Sequence, residues 1–328
     1  MDSRSSIHRF RRGLLFSLLL CCAESVDDGV RLASALRREG KAYDGLARMV
    51  KAGELVKVRH GAYASEQPDD SIAAHRQLIA ATLPRCGDVC LSHASAAVLH
   101  GLPSWATDLG RVQVTKSRAS GGRRSKALHV HVAPLRPDEV VTIDGLPATS
   151  LARTTADCLR AYAYDKAVAI GDAALRAGLS GHELAESVEQ ARNRVGSPQA
   201  RSVVGFVDGR AESVGESKSR IVLCRMGLPP RELQFEVWDA DGHLLARTDF
   251  GWELERTLGE FDGRVKYGRL RRPGEEPEDA VFREKVREDR VRDLGFEVVR
   301  WTWSDLQQPR ALADRLRRAF TRGMRRIA

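Results

Sequence analysis

The sequence has no CxxC pair and no long hydrophobic run. Its six cysteines are scattered over 328 residues without a CxxC pair. This pattern predicts neither a zinc site nor a disulfide framework. No apolar run reaches the roughly 18 residues that a membrane-spanning helix needs. We therefore expect a cytoplasmic chain that has no membrane partner.

Acidic residues are fewer than basic ones. The chain has 53 Lys and Arg against 44 Asp and Glu, which gives a net charge of +9. Such an excess permits a polyanionic partner such as nucleic acid but does not require one. Hydrophobic residues make up 42% and charged residues 30%, which is typical of a globular chain. The length predicts two or three domains.

The first 25 residues differ in pattern from the rest. Residues 1–25 begin with arginines and continue with GLLFSLLLCCA. This order is typical of a secretory signal. A translation start assigned too far upstream and a short amphipathic helix are the alternatives. The segment is expected to stand apart from the folded domains.

Residues 26–68 combine two short helical patterns with a basic hairpin. Val30–Glu39 and Tyr43–Ala52 place apolar residues at helical spacing, and a glycine follows each pattern. LVKVRHGAYA then predicts two strands around a turn. In a winged helix-turn-helix, the second helix fits a major groove and the hairpin reaches phosphates. A helical cap with solvated charges is the alternative. The candidate DNA-binding residues are Lys41, Arg48, Lys51, Lys57, Arg59 and His60.

The hairpin sequence also carries a family resemblance. GELVKVRHGAYA resembles the end of the N-terminal winged helix of AbiEi-type antitoxins from abortive-infection systems, which has the pattern G-x-L-x-x-V-x-x-G-x-Y. The matching residues are Gly53, Leu55, Val58, Gly61 and Tyr63. The resemblance implies binding to double-stranded operator DNA and repression of the protein's own operon, with a cognate toxin as a possible partner.

Residues 69–208 predict a mixed α+β region. LSHASAAVLHGLP is similar to a segment of the same antitoxin-like proteins, although its polar residues fit helix caps better than catalysts. No acidic residue falls between Asp108 and Asp138, where the basic loop SRASGGRRSK joins two alternating strands. A flexible cationic loop suits phosphate contacts, and Arg123 and Arg124 are its candidates. A solvated hairpin tip is the alternative.

Two histidines alternate with apolar residues in the second of these strands, in the sequence LHVHV. His129 and His131 share one face of the second of these strands. The sequence shows no third ligand near them, so metal binding is the weaker interpretation.

Residues 209–328 predict the order helix, three strands, helix, strand, helix. Glu216 lies on the first helix, Asp249 ends the second strand and Glu260 lies on the third. Carboxylates from adjacent strand ends can converge on Mg²⁺, which polarises an attacking water. Lys266 or Lys285 could then stabilise the developing negative charge.

This part resembles the PD-(D/E)XK restriction-endonuclease-like superfamily, in the branch of very-short-patch repair endonucleases. The matching motifs are ES-x-x-R from Glu216, GLP-x-x-x-x-Q from Gly227, T-D-F from Thr248, GEFDG-x-x-KY from Gly259, EK-x-RED from Glu284 and LGFEVVRWTW-x-DL from Leu294. The resemblance implies an αβββαβ core in which Asp249 and Glu260 bind the metal. The family has Lys two residues after the Glu, but this chain has Asp262.

The sequence thus predicts a multidomain α/β chain with a winged helix-turn-helix, a mixed α+β middle region and a nuclease-like C-terminal domain. Two functions stay open. One is a DNA-binding antitoxin-type transcriptional regulator whose C-terminal acids pair with arginines. The other is a magnesium-dependent DNA endonuclease that hydrolyses phosphodiester bonds.

Overall fold

The computed structural model describes residues 29–41, 43–105, 107–118, 120–263 and 286–326. Contacts divide the chain into two compact units. The first contains the chain up to Tyr162 together with Leu179–Ser202, and the second contains Ala163–Gly178 and Val203–Ala328. The predicted combination of helices with mixed sheets is confirmed. No helix in the described ranges is both long and apolar enough to cross a membrane.

The first described elements form a small three-stranded sheet with two helices. They are β1 (Val30–Leu32), α1 (Ala33–Arg38), α2 (Tyr43–Lys51), β2 (Val56–Arg59) and β3 (Ala62–Ala64). The strand order is β1-β3-β2, and both pairs are antiparallel. The prediction of a helix from Val30 is wrong for its first three residues, because they pair with β3.

A six-stranded mixed sheet follows in the first unit, with the order β6-β7-β5-β4-β9-β8. Its strands are β4 (Cys90–Leu91), β5 (Val112–Lys116), β6 (Arg123–Arg124), β7 (Leu128–Val132), β8 (Val140–Ile143) and β9 (Leu146–Thr149). Helices α3 (Ser71–Thr82) and α4 (His93–Leu99) come before and after β4. Ile79, Val114 and Val130 belong to its buried core.

Four helices connect this sheet to the rest of the chain. They are α5 (Leu151–Ala161), α6 (Tyr164–Arg176), α7 (Gly181–Gln190) and α8 (Ser197–Val204). The sequence assigns α6 to the region 69–208, but its contacts group it with the second unit. The sequence-based boundaries at residues 25, 68 and 208 stay predictions.

The second unit is built on a four-stranded sheet with the order β10-β11-β12-β13. Its elements are α9 (Val214–Arg225), β10 (Glu232–Trp238), β11 (Leu244–Trp252), β12 (Thr257–Phe261), a helix α10 over residues 286–293, β13 (Glu297–Trp301), α11 (Trp303–Leu306) and α12 (Pro309–Arg325). Only the β12–β13 pair is parallel.

Hydrophobic residues cover both faces of this sheet. Phe250, Trp301 and Leu316 belong to one buried cluster, which α9 and α12 help to form. Leu258, Val291 and Phe296 belong to a second cluster, which the helix α10 helps to form. Because each face has its own helical cover, the sheet is a buried middle layer.

Candidate functional site

Helix α2 separates an apolar face from a cationic one. Leu46 is fully buried, and Met49 and Val50 pack against the same small core. Arg48 and Lys51 lie on the exposed face. Neither forms an ion pair with an acid in the part of the chain that the structure describes. The predicted contact residues of this helix are therefore available to a ligand.

The hairpin β2–β3 presents only part of its predicted cationic set. Lys57 and His60 are exposed, whereas the Arg59 guanidinium donates a 2.9 Å hydrogen bond to Thr82 Oγ1 on α3. The register of β2 against β3 shifts between Lys57 and Arg59, so these residues do not follow a regular alternation. Arg59 thus attaches the hairpin to α3, and Lys41, just before α2, is half-buried.

The two arginines of β6 occupy opposite faces of the six-stranded sheet. Arg123 pairs with Val130 and Arg124 with His129, and neighbouring strand residues project to opposite sides. Both are exposed. The sequence grouped them as one pair of DNA contacts, but the strand separates them. A ligand bound on one face of the sheet therefore contacts only one of the two arginines.

The conspicuous ES-x-x-R motif has a structural explanation in α9. Both oxygens of the buried Glu216 carboxylate already accept hydrogen bonds: Oε1 from the Ser213 hydroxyl at 2.7 Å, and Oε2 from Glu212 N at 2.8 Å and the Gln234 amide at 3.0 Å. The Ser213 hydroxyl accepts from Glu216 N in return. Glu216 therefore stabilises the start of α9.

The other two residues of that motif bind one buried carboxylate on α6. The Ser217 hydroxyl donates to Asp172 Oδ2 at 2.7 Å, and Arg220 donates to the same oxygen at 2.8 Å. Burial raises the pKa of Asp172 above its ordinary value, and the charge of Arg220 offsets only part of this rise. This contact set joins α6 to α9 and accounts for the place of α6 in the second unit.

Asp249 and Glu260 lie near each other on adjacent strands. Phe250 pairs with Gly259, so continuing the register brings Asp249 opposite Glu260. Asp249 Oδ2 accepts a 2.7 Å hydrogen bond from Phe261 N. Glu260 forms ion pairs with Arg300 at 2.7 Å and Arg287 at 3.0 Å. Glu260 is therefore already neutralised by two guanidinium groups.

These carboxylates do not fit a ready magnesium site. Within the described ranges, Glu216, Asp249 and Glu260 do not bring three ligand atoms within 4.8 Å of one another. Since the oxygens of Glu216 accept hydrogen bonds and Glu260 pairs with two arginines, the set lacks the free oxygens that Mg²⁺ prefers. Lys266 and Lys285, the candidate lysines, lie outside the described residues.

Another acidic group lies in the turn between β10 and β11. Asp239, Asp241 and His243 do place ligand atoms within 4.8 Å of one another. Asp239 Oδ1 accepts from the backbone N–H groups of Asp241 and His243, at 3.0 and 2.8 Å. This pattern is typical of an Asx turn, and the turn accounts for the proximity of these side chains.

The sequence-based reasoning found His129 and His131 on one strand face but missed the third histidine, His93, which stacks on His131. The His93 ring stacks on His131 with centroids 3.7 Å apart, and His129 lies 3.9 Å from His131. Burial lowers the pKa of His93 to about 4 and that of His131 to about 3. Stacked rings do not aim their lone pairs at one point, so this geometry is poor for a metal. Only the β7 alternation and the SH dipeptide signalled it.

Comparisons with known proteins identify relatives but no activity. No family model matches the chain. The uncharacterized proteins MT2308 and Rv2248 of Mycobacterium tuberculosis, from strains CDC 1551 / Oshkosh and ATCC 25618 / H37Rv, are each 30% identical to it over 275 residues, covering 83% of this chain and 95% of theirs.

One solved structure is a distant neighbour. The crystal structure of RV2827C protein from Mycobacterium tuberculosis aligns with a TM-score of 0.37 and 17% identity, over 69% of this chain and 87% of that one. Such a low score carries no argument about function. Because both Mycobacterium tuberculosis relatives are 30% identical to this chain and match it over 95% of their own length, the chain belongs to the family of MT2308 and Rv2248.

Proposed function

We propose that this protein is a DNA-binding transcriptional regulator of the antitoxin type. The observation that carries the proposal is the cationic face of α2, where Arg48 and Lys51 are exposed beside a hairpin that exposes Lys57 and His60. The strand order β1-β3-β2 around α1 and α2 supports a winged helix-turn-helix. In such a unit the second helix enters the major groove.

In this proposal the second unit is a nuclease-like scaffold. An antiparallel set β10-β11-β12 with a parallel β13, preceded by α9 and joined through the helix α10, agrees with the αβββαβ order that the sequence predicts. Its carboxylates serve ion pairs and a helix start. We assign this scaffold to DNA binding or to neutralisation of a cognate toxin in the cytoplasm.

The endonuclease remains the second candidate because Asp249 lies opposite Glu260 on the neighbouring strand. Two features count against it. The two guanidinium groups on Glu260 compete with a cation, and Asp262 replaces the family lysine. Hydrolysis would need Glu260 to exchange these partners for Mg²⁺.

Charge reversal on α2 tests the regulator. We expect Arg48→Glu and Lys51→Glu each to weaken binding to a duplex from the promoter of the protein's own gene about tenfold or more, and to reduce the salt dependence by about one phosphate contact. Fluorescence anisotropy over a range of salt concentrations measures both quantities.

Arg192→Glu is the matched control. Arg192 is exposed and pairs with Glu189 near the end of α7, so its reversal changes the net charge equally without touching α2. If all three variants bind the duplex as tightly as the native protein, α2 does not recognise DNA and the proposal fails.

A further inference from the structure

A cleft opens at one edge of the six-stranded sheet. Its volume is about 200 Å³, and its apolar lining consists of Val89, Leu128 and Val130 together with Cys86. The polar part of its lining consists of the cations Lys116, Arg118 and Arg123, and none of the acidic residues that the structure describes lines it. A cleft with this lining suits an anionic group.

Strand pairing explains why these cations meet. Lys116 follows Val112 and Val114 on the buried face of β5, since side chains alternate along a strand. Arg123 is paired with Val130, which belongs to the same core, so it projects to that face as well. The cleft thus begins where the apolar core of this face ends.

A fourth cation, Arg59 of the hairpin, also acts on Cys86. Burial raises the pKa of the Cys86 thiol, whereas the positive charges of Arg59, Lys116 and Arg123 act to lower it. Cys86 Sγ also donates to Thr82 O, and Thr82 is the residue that holds Arg59. The positive charges of Arg59, Lys116 and Arg123, on β2, β5 and β6, therefore all act on Cys86.

The cleft cations have no acidic partner in the described residues. The flanking arginines Arg111 and Arg136 pair with Asp108 and Asp138, the two acids that bound the acid-free stretch. Inside that stretch, Lys116 and Arg123 form no ion pair among the described residues, and the Arg118 guanidinium donates to Gly121 O. The cleft therefore holds cationic charge that a ligand can neutralise.

We propose that this cleft binds a backbone phosphate of the DNA that the winged helix-turn-helix recognises, with Lys116, Arg118 and Arg123 as its ligands. The inference rests on the proposed DNA-binding function and extends the footprint beyond α2 and the hairpin. It assigns Arg123 to the interface and leaves Arg124, on the opposite face of β6, outside it.

Neutral substitutions test the assignment, with Arg124 as an internal control. Arg123→Gln and Lys116→Gln each weaken binding of the full chain to the promoter duplex several-fold and lower the slope of log K against log salt by about 0.9, the value for one phosphate. Arg124→Gln leaves both unchanged. Thermal unfolding midpoints close to the native value show that each variant is folded.

Alkylation provides a local readout. Cys86 lines the cleft and is partly buried, whereas Cys224 in the second unit is exposed. Saturating duplex slows iodoacetamide labelling of Cys86 in the native protein, measured by peptide mass spectrometry. Labelling of Cys224 supplies the reference rate in the same sample.

Each outcome decides the question. If the native protein binds the duplex but Arg123→Gln binds it as tightly as Arg124→Gln does, the cleft does not contact DNA. The cleft inference is then wrong, while the proposed DNA-binding function stands. If inorganic phosphate slows Cys86 labelling while the duplex does not, the site takes a small anion and the DNA assignment is overturned. If the native protein binds no duplex, the proposed function and this inference fall together.

Discussion

His93 adopts a backbone conformation that few side chains tolerate. Its φ is +51° at the first residue of α4, and its ring is buried against His131. Positive φ is uncommon for a residue with a Cβ, although Asn, Asp and His adopt it more often than other side chains. The strain is offset by the stack and by the contact of His93 Nδ1 with the Ser92 hydroxyl at 3.1 Å.

The stack makes the stability of the protein sensitive to acid. Burial, together with the charges of Arg153, Arg160 and His129, holds the pKa of His93 at about 4, below the ordinary 6.5, although Asp157 opposes the shift. Between these two values the unfolded chain binds a proton that the folded chain does not. The free energy of unfolding therefore falls as pH drops from 6.5 towards 4, by about 1.4 kcal/mol per pH unit for one proton.

We expect His93→Asn to lower this slope by the share of one proton, up to about 1.4 kcal/mol per pH unit, because the substitution removes the group while suiting the positive φ. His131, whose pKa burial also lowers, keeps its own contribution to the slope. Urea unfolding at several pH values from 7 to 4.5 measures it. His182→Asn, at an exposed position of α7, should keep the native slope. A native slope in His93→Asn would show that other groups cause the acid sensitivity.

Among the elements, α9 approaches β12 closely because it carries a glycine at the point of contact. A Cβ on Gly215 would lie 1.9 Å from Phe261 Cε1, and Phe261 is buried in the main core of its unit. We expect Gly215→Ala to destabilise the protein by about 1–3 kcal/mol, since a packed core resists added volume. Urea-induced unfolding measures the loss.

A glycine-to-alanine substitution at an uncrowded position should not destabilise the protein. A Cβ on Gly181, the first residue of α7, meets nothing within 4 Å. Gly181→Ala should leave stability unchanged or raise it by up to about 1 kcal/mol, because alanine favours helix. Equal losses in both variants would mean that the contact with Phe261 does not decide the result, since a Cβ on Gly181 meets no such contact.

Regular patterns made most elements predictable. The apolar stripe of Leu312, Leu316 and Phe320 predicts a final helix, and the structure has Pro309–Arg325. Predictions for short segments failed because three residues fit both the helical and the strand periodicity. Val30–Leu32, for example, pairs with β3 instead of extending α1. The half-buried position of Arg59 was missed for a related reason, since a register shift inside β2 cannot be read from alternation.

Across the whole molecule, contacts distant in sequence were the hardest to predict. Asp172 binds Ser217 and Arg220 more than forty residues along the chain, which moves α6 from the predicted middle region into the second unit. The spacing of Ser217 and Arg220 in the sequence suggested a functional motif. Their common partner Asp172 lies on another helix and could not be inferred from that spacing. The carboxylate positions on β11 and β12 were predictable, and pairing of these acids with arginines was one of the two alternatives; of the two partners of Glu260, only Arg300 was not anticipated.

Plasmid nicking decides whether the second unit turns over DNA. We expect no nicking of supercoiled plasmid with Mg²⁺ or Mn²⁺, because Arg287 and Arg300 neutralise Glu260 and the oxygens of Glu216 serve the start of α9. Agarose electrophoresis of the native protein beside Asp249→Ala measures this. Nicking by the native protein that disappears in the variant would overturn the regulator in favour of the endonuclease, since a contaminating nuclease would act equally in both samples.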